Sequence, residues 1–179
     1  MNKKAHITRI ALQLFAEQGY GNTSIAMIAK KAQVSQGLMY NYYPSKEELL
    51  EAILMEGLED IRSSMEAYGE SKTPQEALRK HITATFDTVS EHAEYWRLFH
   101  SIRLQPGVIK HLSSAFREAQ TTITKTLAGN FRKLGYAHPT EEARLFFAHI
   151  DGLVGLYLAD PQQFDLHKMK RSLFKKYTL

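Results

Sequence analysis

No cysteine occurs among the 179 residues. Disulfides, cysteine-ligated zinc and thiol nucleophiles are thereby excluded, and a reducing compartment is suited. No apolar run approaches the ~20 residues that span a bilayer. Met1 leads into an amphipathic helix rather than an apolar signal core, so a soluble, cytoplasmic protein without a membrane partner is expected. No G-x-S-x-G, P-loop, H-E-x-x-H or dinucleotide fingerprint is present, and nothing places Ser, His and Asp together as a catalytic set. The expectation is a protein that is no enzyme and carries no cofactor.

Acid is also nearly absent from the front of the chain. In residues 1–46, Lys3, Lys4, Arg9, Lys30, Lys31 and Lys46 stand against Glu17 alone, a local charge of +5. The rest of the chain holds 17 basic and 18 acidic side chains, a charge of −1. The basicity behind the overall +4 therefore sits in one short segment, and a polyanion is the natural partner for it.

What remains is helical. No convincing strand, repeat or low-complexity tract appears. Ser45-x-x-Glu48 reads as a capping box that opens a helix through about Met65. Thr73-Pro74-Gln75-Glu76 opens another, with Thr73 as N-cap and Pro74 at the first helical position. An aromatic-rich stretch runs from Glu94 to Leu104 and is interrupted at Pro106-Gly107. A long helix carries Ile109, Leu112, Phe116, Ile123, Leu127 and Leu134, and Gly135 ends it. Pro139 to Asp160 is the most apolar segment, and Phe164 to Tyr177 makes a last, basic helix.

Residues 23–48 carry the sharpest signal. Thr23 is placed to N-cap a short helix whose Ile25, Ile28 and Ala29 share one face. Gln33-Val34-Ser35 breaks the pattern, and Ser35 caps a second short helix. Met39 and Tyr43, four apart, give that helix a buried side. Gln36, Gly37, Leu38, Asn41 and Tyr42 form the other side. A short polar helix braced by a preceding one is the architecture that reads the DNA major groove. Gln36 and Asn41 have the amide geometry to read adenine, and Leu38 suits a thymine methyl. Gly37 allows close approach. Thr23 and Ser24 at one helix start, and Lys46 beside Ser45 at another, are candidate phosphate holders. Lys3 and Lys4 are expected to reach further phosphates as a mobile arm.

The run from Thr23 to Leu49 resembles the DNA-binding domain of the TetR family of bacterial transcriptional regulators. The resemblance rests on Thr23, Ile28-Ala29, Ala32, Val34-Ser35, Gly37, Met39-Tyr40, Tyr42-Tyr43, Lys46 and Leu49, with Ile10, Ala11, Leu14, Phe15 and Gly19-Tyr20 before them. Gln33 stands where glycine is common, which implies positive φ at the turn. Leu38 stands where a small or polar residue is common, and Tyr43 where Phe is usual. The resemblance implies an all-α fold. A three-helix helix-turn-helix domain (1–46) precedes a helical ligand-binding and dimerisation domain (47–179). It also implies a homodimer on a near-palindromic duplex operator, with Tyr40, Tyr42 and Lys46 gripping its backbone. A repressor released by a small, largely apolar effector is the expected function.

Two further expectations concern residues 47–179. Phe146, Phe147, Ile150, Leu153, Val154, Tyr157 and Leu158 cover more than one helix face, with Ala148, Gly152, Gly155 and Ala159 admitting close approach. Together with Phe174 on the last helix they are expected to form the dimer interface. Trp96, Phe99, His100 and Arg103 share a stripe at three-to-four spacing. They are the candidate effector pocket, aromatic with a polar end. His92, His100, His111 and His149 show no ligand spacing, and no metal site is expected.

Overall fold

The computed structural model describes residues 2–66, 71–105, 107–108 and 113–179, without the side chains of 60, 61, 63–66 and 113–115. Among the described residues the chain is all-α. Its helices are α1 (Lys3–Gln18), α2 (Ile25–Ala32), α3 (Gln36–Tyr42), α4 (Lys46–Glu66) and α5 (Pro74–Glu91). They continue with α6 (Ala93–Ile102), α7 (Ser113–Lys133), α8 (Pro139–Ala159) and α9 (Leu166–Lys176). Pro106, Ile109, His111 and Leu112, which entered the sequence reading, lie outside the described residues.

The helix starts follow from side-chain oxygens that accept otherwise orphaned backbone N–H groups. Ser45 Oγ accepts from Glu48 N–H at 3.1 Å and opens α4. Thr73 Oγ1 accepts from Glu76 N–H at 3.1 Å, while Glu76 reaches back to Lys72 N–H at 2.8 Å. Asp165 accepts from Lys168 N–H at 2.8 Å and starts α9. Gly19 (φ +85°) and Gly135 (φ +81°) end α1 and the stretch after α7 in the left-handed region that glycine adopts freely.

The helices pack as two compact units. One comprises Met1–Asp60 and His92–Leu112, the other Ile61–Glu91 and Ser113–Leu179. In the first, α1 buries Ile7, Ile10, Ala11, Leu14 and Phe15, one face at three-to-four spacing. Against this core lie Ile28, Ala29 and Ala32 of α2, Met39 of α3, Leu49, Leu50, Ile53 and Leu54 of α4, and Leu98 and Ile102 of α6. The unit therefore extends past residue 46 to take in the start of α4 and all of α6. Tyr95 lies flat on α4. Its hydroxyl donates to Leu54 O at 3.2 Å, and a Cβ added at Gly57 would sit inside the ring. Glycine at 57 is what lets α6 approach α4 this closely. Burial holds the Tyr95 phenol well above its ordinary pKa.

The second unit is built around stacked aromatics. Phe131 of α7 and Phe146 of α8 meet edge-on with centroids 5.5 Å apart, and Phe146 meets Tyr177 at 4.8 Å. Leu78, Ile82, Phe86 and Val89 of α5 complete the interior. Lys170 of α9 bridges to Asp87 of α5 at 3.1 Å, and Arg79 lies over the Phe174 ring at 4.1 Å.

Candidate functional site

Ser24, not Thr23, caps α2. Ser24 Oγ accepts from Met27 N–H at 3.2 Å. Thr23 is turned inward, 1% exposed. Its hydroxyl donates to Leu14 O at 3.3 Å and Gly19 O at 3.0 Å. That corrects the expectation for Thr23: its hydroxyl ties α1 to the turn, and no phosphate reaches it. After α2, Gln33 takes φ 56° and ψ 44°, the left-handed conformation the turn was expected to need. Val34 N–H reaches back to Ala29 O at 3.0 Å. This sets the sharp change of direction before α3.

Ser35 Oγ accepts from Leu38 N–H at 3.1 Å and caps α3. Met39 is fully buried and Tyr43 is 5% exposed. Gln36, Gly37, Tyr40, Asn41 and Tyr42 are exposed and Leu38 is half-buried. The two sides separate as the spacing predicts. A Cβ built at Gly37 would meet nothing nearer than Ser35 Oγ at 4.0 Å. The protein's own packing thus does not require glycine there, although glycine inside a helix costs about 1 kcal/mol relative to alanine. What the missing side chain preserves is flatness on the outward side.

Lys46 does something the sequence reading did not anticipate. Its ammonium donates to Tyr20 O at 2.9 Å and Thr23 O at 3.0 Å, and stands 4.1 Å from the Tyr20 ring centroid. Tyr20 in turn donates its hydroxyl to Glu47 at 3.2 Å. Burial, then the Glu47 carboxylate, holds that phenol well above its ordinary pKa. Lys46 therefore clamps the α1–α2 connection to the start of α4, with two of its three N–H donors committed inside the protein. Lys3 and Lys4 are also placed differently from the expected arm. They form the first turn of α1, where Asn2 Oδ1 accepts from Lys4 N–H at 3.0 Å. Both are exposed, and Lys4 Nζ lies 5.6 Å from the Tyr43 ring centroid. The first turns of α1, α2 and α3 contain no acidic residue. The partial positive charge of these helix starts meets no acidic side chain of their own first turns.

Trp96, Phe99, His100 and Arg103 line neither of the two cavities described here. On α6 it is Tyr95 and Leu98 that face the core, while those four side chains are half-buried. A cavity of about 170 Å³ within the first unit is bounded by Thr8, Arg9, Glu56, His92 and Tyr95, among others. A larger one, about 260 Å³, opens within the second unit between α5 and α7. Ala77, Lys80, His81 and Ala84 form its α5 wall, and Thr122, Ile123, Thr126, Leu127 and Asn130 its α7 wall. The signal in the sequence is a pair of ladders four apart on α7, one polar (Thr122, Thr126, Asn130) and one apolar (Ile123, Leu127), facing small residues on α5. Among the described residues no group of His, Asp or Glu converges as a metal site.

The α8 side chains also sort differently from the expectation. Phe146, Ile150, Val154 and Leu158 are at most 7% exposed within one chain. They are interior residues and cannot meet a second copy. Phe147, Gly155, Tyr157 and Phe174 are half-buried, and Gly152 is exposed. The open stripe is instead Leu145 (54% exposed), Ala148, Gly152, Leu156 (59% exposed) and Ala159. Because α8 is apolar on nearly every side, hydrophobicity alone did not separate these faces.

Residues 7–53 match the profile of bacterial regulatory proteins of the tetR family. The HTH-type transcriptional regulator YuxN of Bacillus subtilis is 34% identical over 112 residues. That alignment covers 61% of this chain and 36% of YuxN, so this chain spans about a third of that relative. Two solved structures share the fold over nearly the whole length. FadR from Bacillus subtilis, in complex with stearoyl-CoA, superposes with a TM-score of 0.79 at 20% identity, covering 96% of this chain and 95% of that one. A protein from Saccharomonospora viridis, described as a transcriptional regulator and bound to choline, gives 0.78 at 22%, covering 96% and 93%.

Proposed function

The chain belongs to the TetR family of bacterial regulatory proteins, and from that footing we propose that it is a cytoplasmic repressor that binds a near-palindromic operator as a homodimer and releases it when a small molecule binds. The family is not enzymatic, and no described helix is long and apolar enough to cross a membrane.

One observation carries the reading: the outward side of α3. Gln36, Gly37, Tyr40, Asn41 and Tyr42 lie exposed on a capped helix, and glycine keeps its start flat without serving the interior. Gln36 and Asn41 supply base-edge hydrogen bonds, and Leu38 an apolar contact. Ser24, Ser35, Tyr40 and Tyr42 offer hydroxyls to the phosphates, and Lys3, Lys4 and Lys30 their charge. Lys46 acts through the loop it clamps rather than by touching the backbone of the DNA.

The exposed stripe of α8 supports the dimer. Leu145 and Leu156 are large and apolar, and Ala148 and Gly152 between them, with Ala159 beyond, leave room for a second backbone. A two-fold axis pairs such a stripe with itself. The effector acts by favouring a head spacing that does not fit the operator, through a coupling of ~1–3 kcal/mol.

The experiment is a salt titration of binding to a selected operator. The logarithm of the association constant should fall linearly with the logarithm of salt concentration. A slope near about −5 corresponds to six neutralised phosphates in the dimer. Gln36→Ala should change base preference by ~1–3 kcal/mol at the bases it reads. A flat salt dependence overturns the DNA-binding reading.

A further inference from the structure

Relatives with one fold bind stearoyl-CoA in one case and choline in the other. The fold therefore does not name the effector, and its chemistry has to be read from the cavity of this chain. We propose that the α5–α7 cavity receives a small organic acid, its carboxylate held by Lys80, His81, Thr126 and Asn130. This rests on the reading of the protein as an effector-controlled regulator.

The lining supplies donors and almost no acceptor charge. Lys80 is cationic, the threonines donate, Asn130 gives one amide N–H to Thr126 O at 3.3 Å and keeps the other, and no carboxylate lines the cavity among the described residues. The helical threonines Thr83, Thr85, Thr121 and Thr124 each turn the hydroxyl onto the carbonyl one turn back. Thr122 and Thr126, which border the cavity, make no such bond, so their hydroxyls are available to a guest. Lys80 meets Glu76 at 3.3 Å. Glu76 is also held by Lys72 N–H at 2.8 Å, so it keeps a partner when the lysine swings toward a ligand. Hydrogen bonding to that N–H is the first cause of its lowered pKa, ahead of Lys80. His81 is the one aromatic ring in the lining, beside the buried Phe146 with centroids 6.2 Å apart. Burial keeps it neutral, pushed down to about 4, with one N–H to donate.

The same lining argues against both ligands of the relatives. A quaternary ammonium is held by aromatic faces and anionic groups, and neither surrounds this space among the described residues. Long acyl thioesters exceed a volume of about 260 Å³, which is already under the roughly 300–1,000 Å³ of sites for drug-sized molecules. This cavity has an apolar wall of Ala77, Ala84, Ile123 and Leu127 beside its polar groups, which suits an acid with an apolar body.

The test uses the full-length protein and isothermal titration with benzoate, 4-hydroxybenzoate, succinate and 2-oxoglutarate, each beside its neutral amide. Choline, 1-octanol and inorganic phosphate are run in parallel. At least one acid should bind about tenfold or more tightly than its amide. Lys80→Gln should remove that preference and Lys80→Arg restore it, with the His81 ring resonances shifting on binding. The proposal is overturned if no acid binds at about 10 mM, if amide and acid bind alike, or if choline, 1-octanol or phosphate is the ligand bound here. Operator affinity measured in the same samples separates the two readings. Acid binding without change in operator affinity keeps the ligand assignment and removes the cavity's regulatory role. Operator release by choline or 1-octanol, with the acids silent, keeps the regulator and removes the acid.

Discussion

Helices α3 and α8 sit at opposite extremes of the same chemistry. The seven residues of α3 put Met39 alone into the core and hold an exposed polar side toward solvent. The 21 residues of α8 bury Ala143, Phe146, Ile150, Val154 and Leu158, and still leave Leu145 and Leu156 more than half exposed. In α3 polarity tells inside from outside. In α8 it does not, because the inward and outward faces are both apolar and differ only in residue size. Phe146, Ile150 and Val154 fill the interior with Ala143 and Leu158, whereas only leucine, alanine and glycine line the open stripe. A surface that meets water or DNA is written in polarity, and one that meets another protein surface is written in shape.

The sharpest way to break this comparison is to substitute both faces of α8. Phe146→Ala empties a fully buried site among Phe131, His81 and Tyr177. It should cost about 3–5 kcal/mol of stability, read by urea unfolding. Leu156→Lys should leave each chain folded, with helical circular dichroism retained, while sedimentation shows a monomer. If Leu156→Lys unfolds the chain and Phe146→Ala leaves stability intact, the inward and outward faces have been exchanged.

The second unit also carries a pH dependence that the first does not share through this group. His81 has a folded pKa pushed down to about 4 by burial, below its ordinary 6.5. Between those values the unfolded chain holds the proton more readily than the folded one. The stabilisation is therefore complete above 6.5 and is lost progressively as pH falls toward 4. Its neighbours do not offset this. Phe146 on α8 and Thr122, Thr126 and Asn130 on α7 are uncharged, and Lys80 beside it carries positive charge. The loss approaches about 3 kcal/mol at the acid end. Urea unfolding at pH 7.5 and 4.5 should show wild type losing about 2–3 kcal/mol more than His81→Leu. Equal losses would mean that His81 is protonated in the folded protein.

In the first unit the tightest contact is Gly57 against Tyr95. Gly57→Ala forces the ring off α4 and strains the Tyr95 hydrogen bond to Leu54 O. Overpacking of this kind costs about 1–3 kcal/mol. Operator affinity should fall with it, because α4 also carries Lys46. Unchanged melting would mean that the ring moves aside freely.

The sequence made the head legible because motif and packing impose the same pattern. Ser35, Met39 and Tyr43 stand where the helix-turn-helix period puts them, and Gln33 accepts the positive φ foreseen for it. The inward turn of Thr23 and the loop clamp of Lys46 escape the sequence for one reason. Both residues carry polar groups at helix starts, and spacing alone does not tell a group facing solvent from one answering a carbonyl of a distant loop. Trp96, Phe99, His100 and Arg103 do share an α6 stripe, but the cavity opened where Ala77 and Ala84 remove volume from α5. An absence of side chain is a weaker signal than an aromatic cluster.

The smallest effect separates polarity from shape inside the head itself. Tyr43 stands where the family usually has Phe, and its hydroxyl lies 2.9 Å from Thr8 Oγ1. Thr8 donates its own proton to Lys4 O at 3.0 Å, so Tyr43 must be the donor between them. Tyr43→Phe keeps the ring, its 5% exposure and the Lys4 ammonium above it, and removes one buried hydrogen bond. Thr8 keeps its donor bond and loses only an acceptor role, which places the cost near about 1 kcal/mol. For a chain of this size that is a fall in Tm of about 2–4 °C. Operator affinity well below Tm should be unchanged, since the hydroxyl points at α1 and not outward. Thr8→Val combined with Tyr43→Phe should cost little more than Thr8→Val alone, because that substitution already removes the shared bond together with the one to Lys4 O. An additive double variant, or a weakened operator complex at low temperature, would show that the hydroxyl acts outside the core.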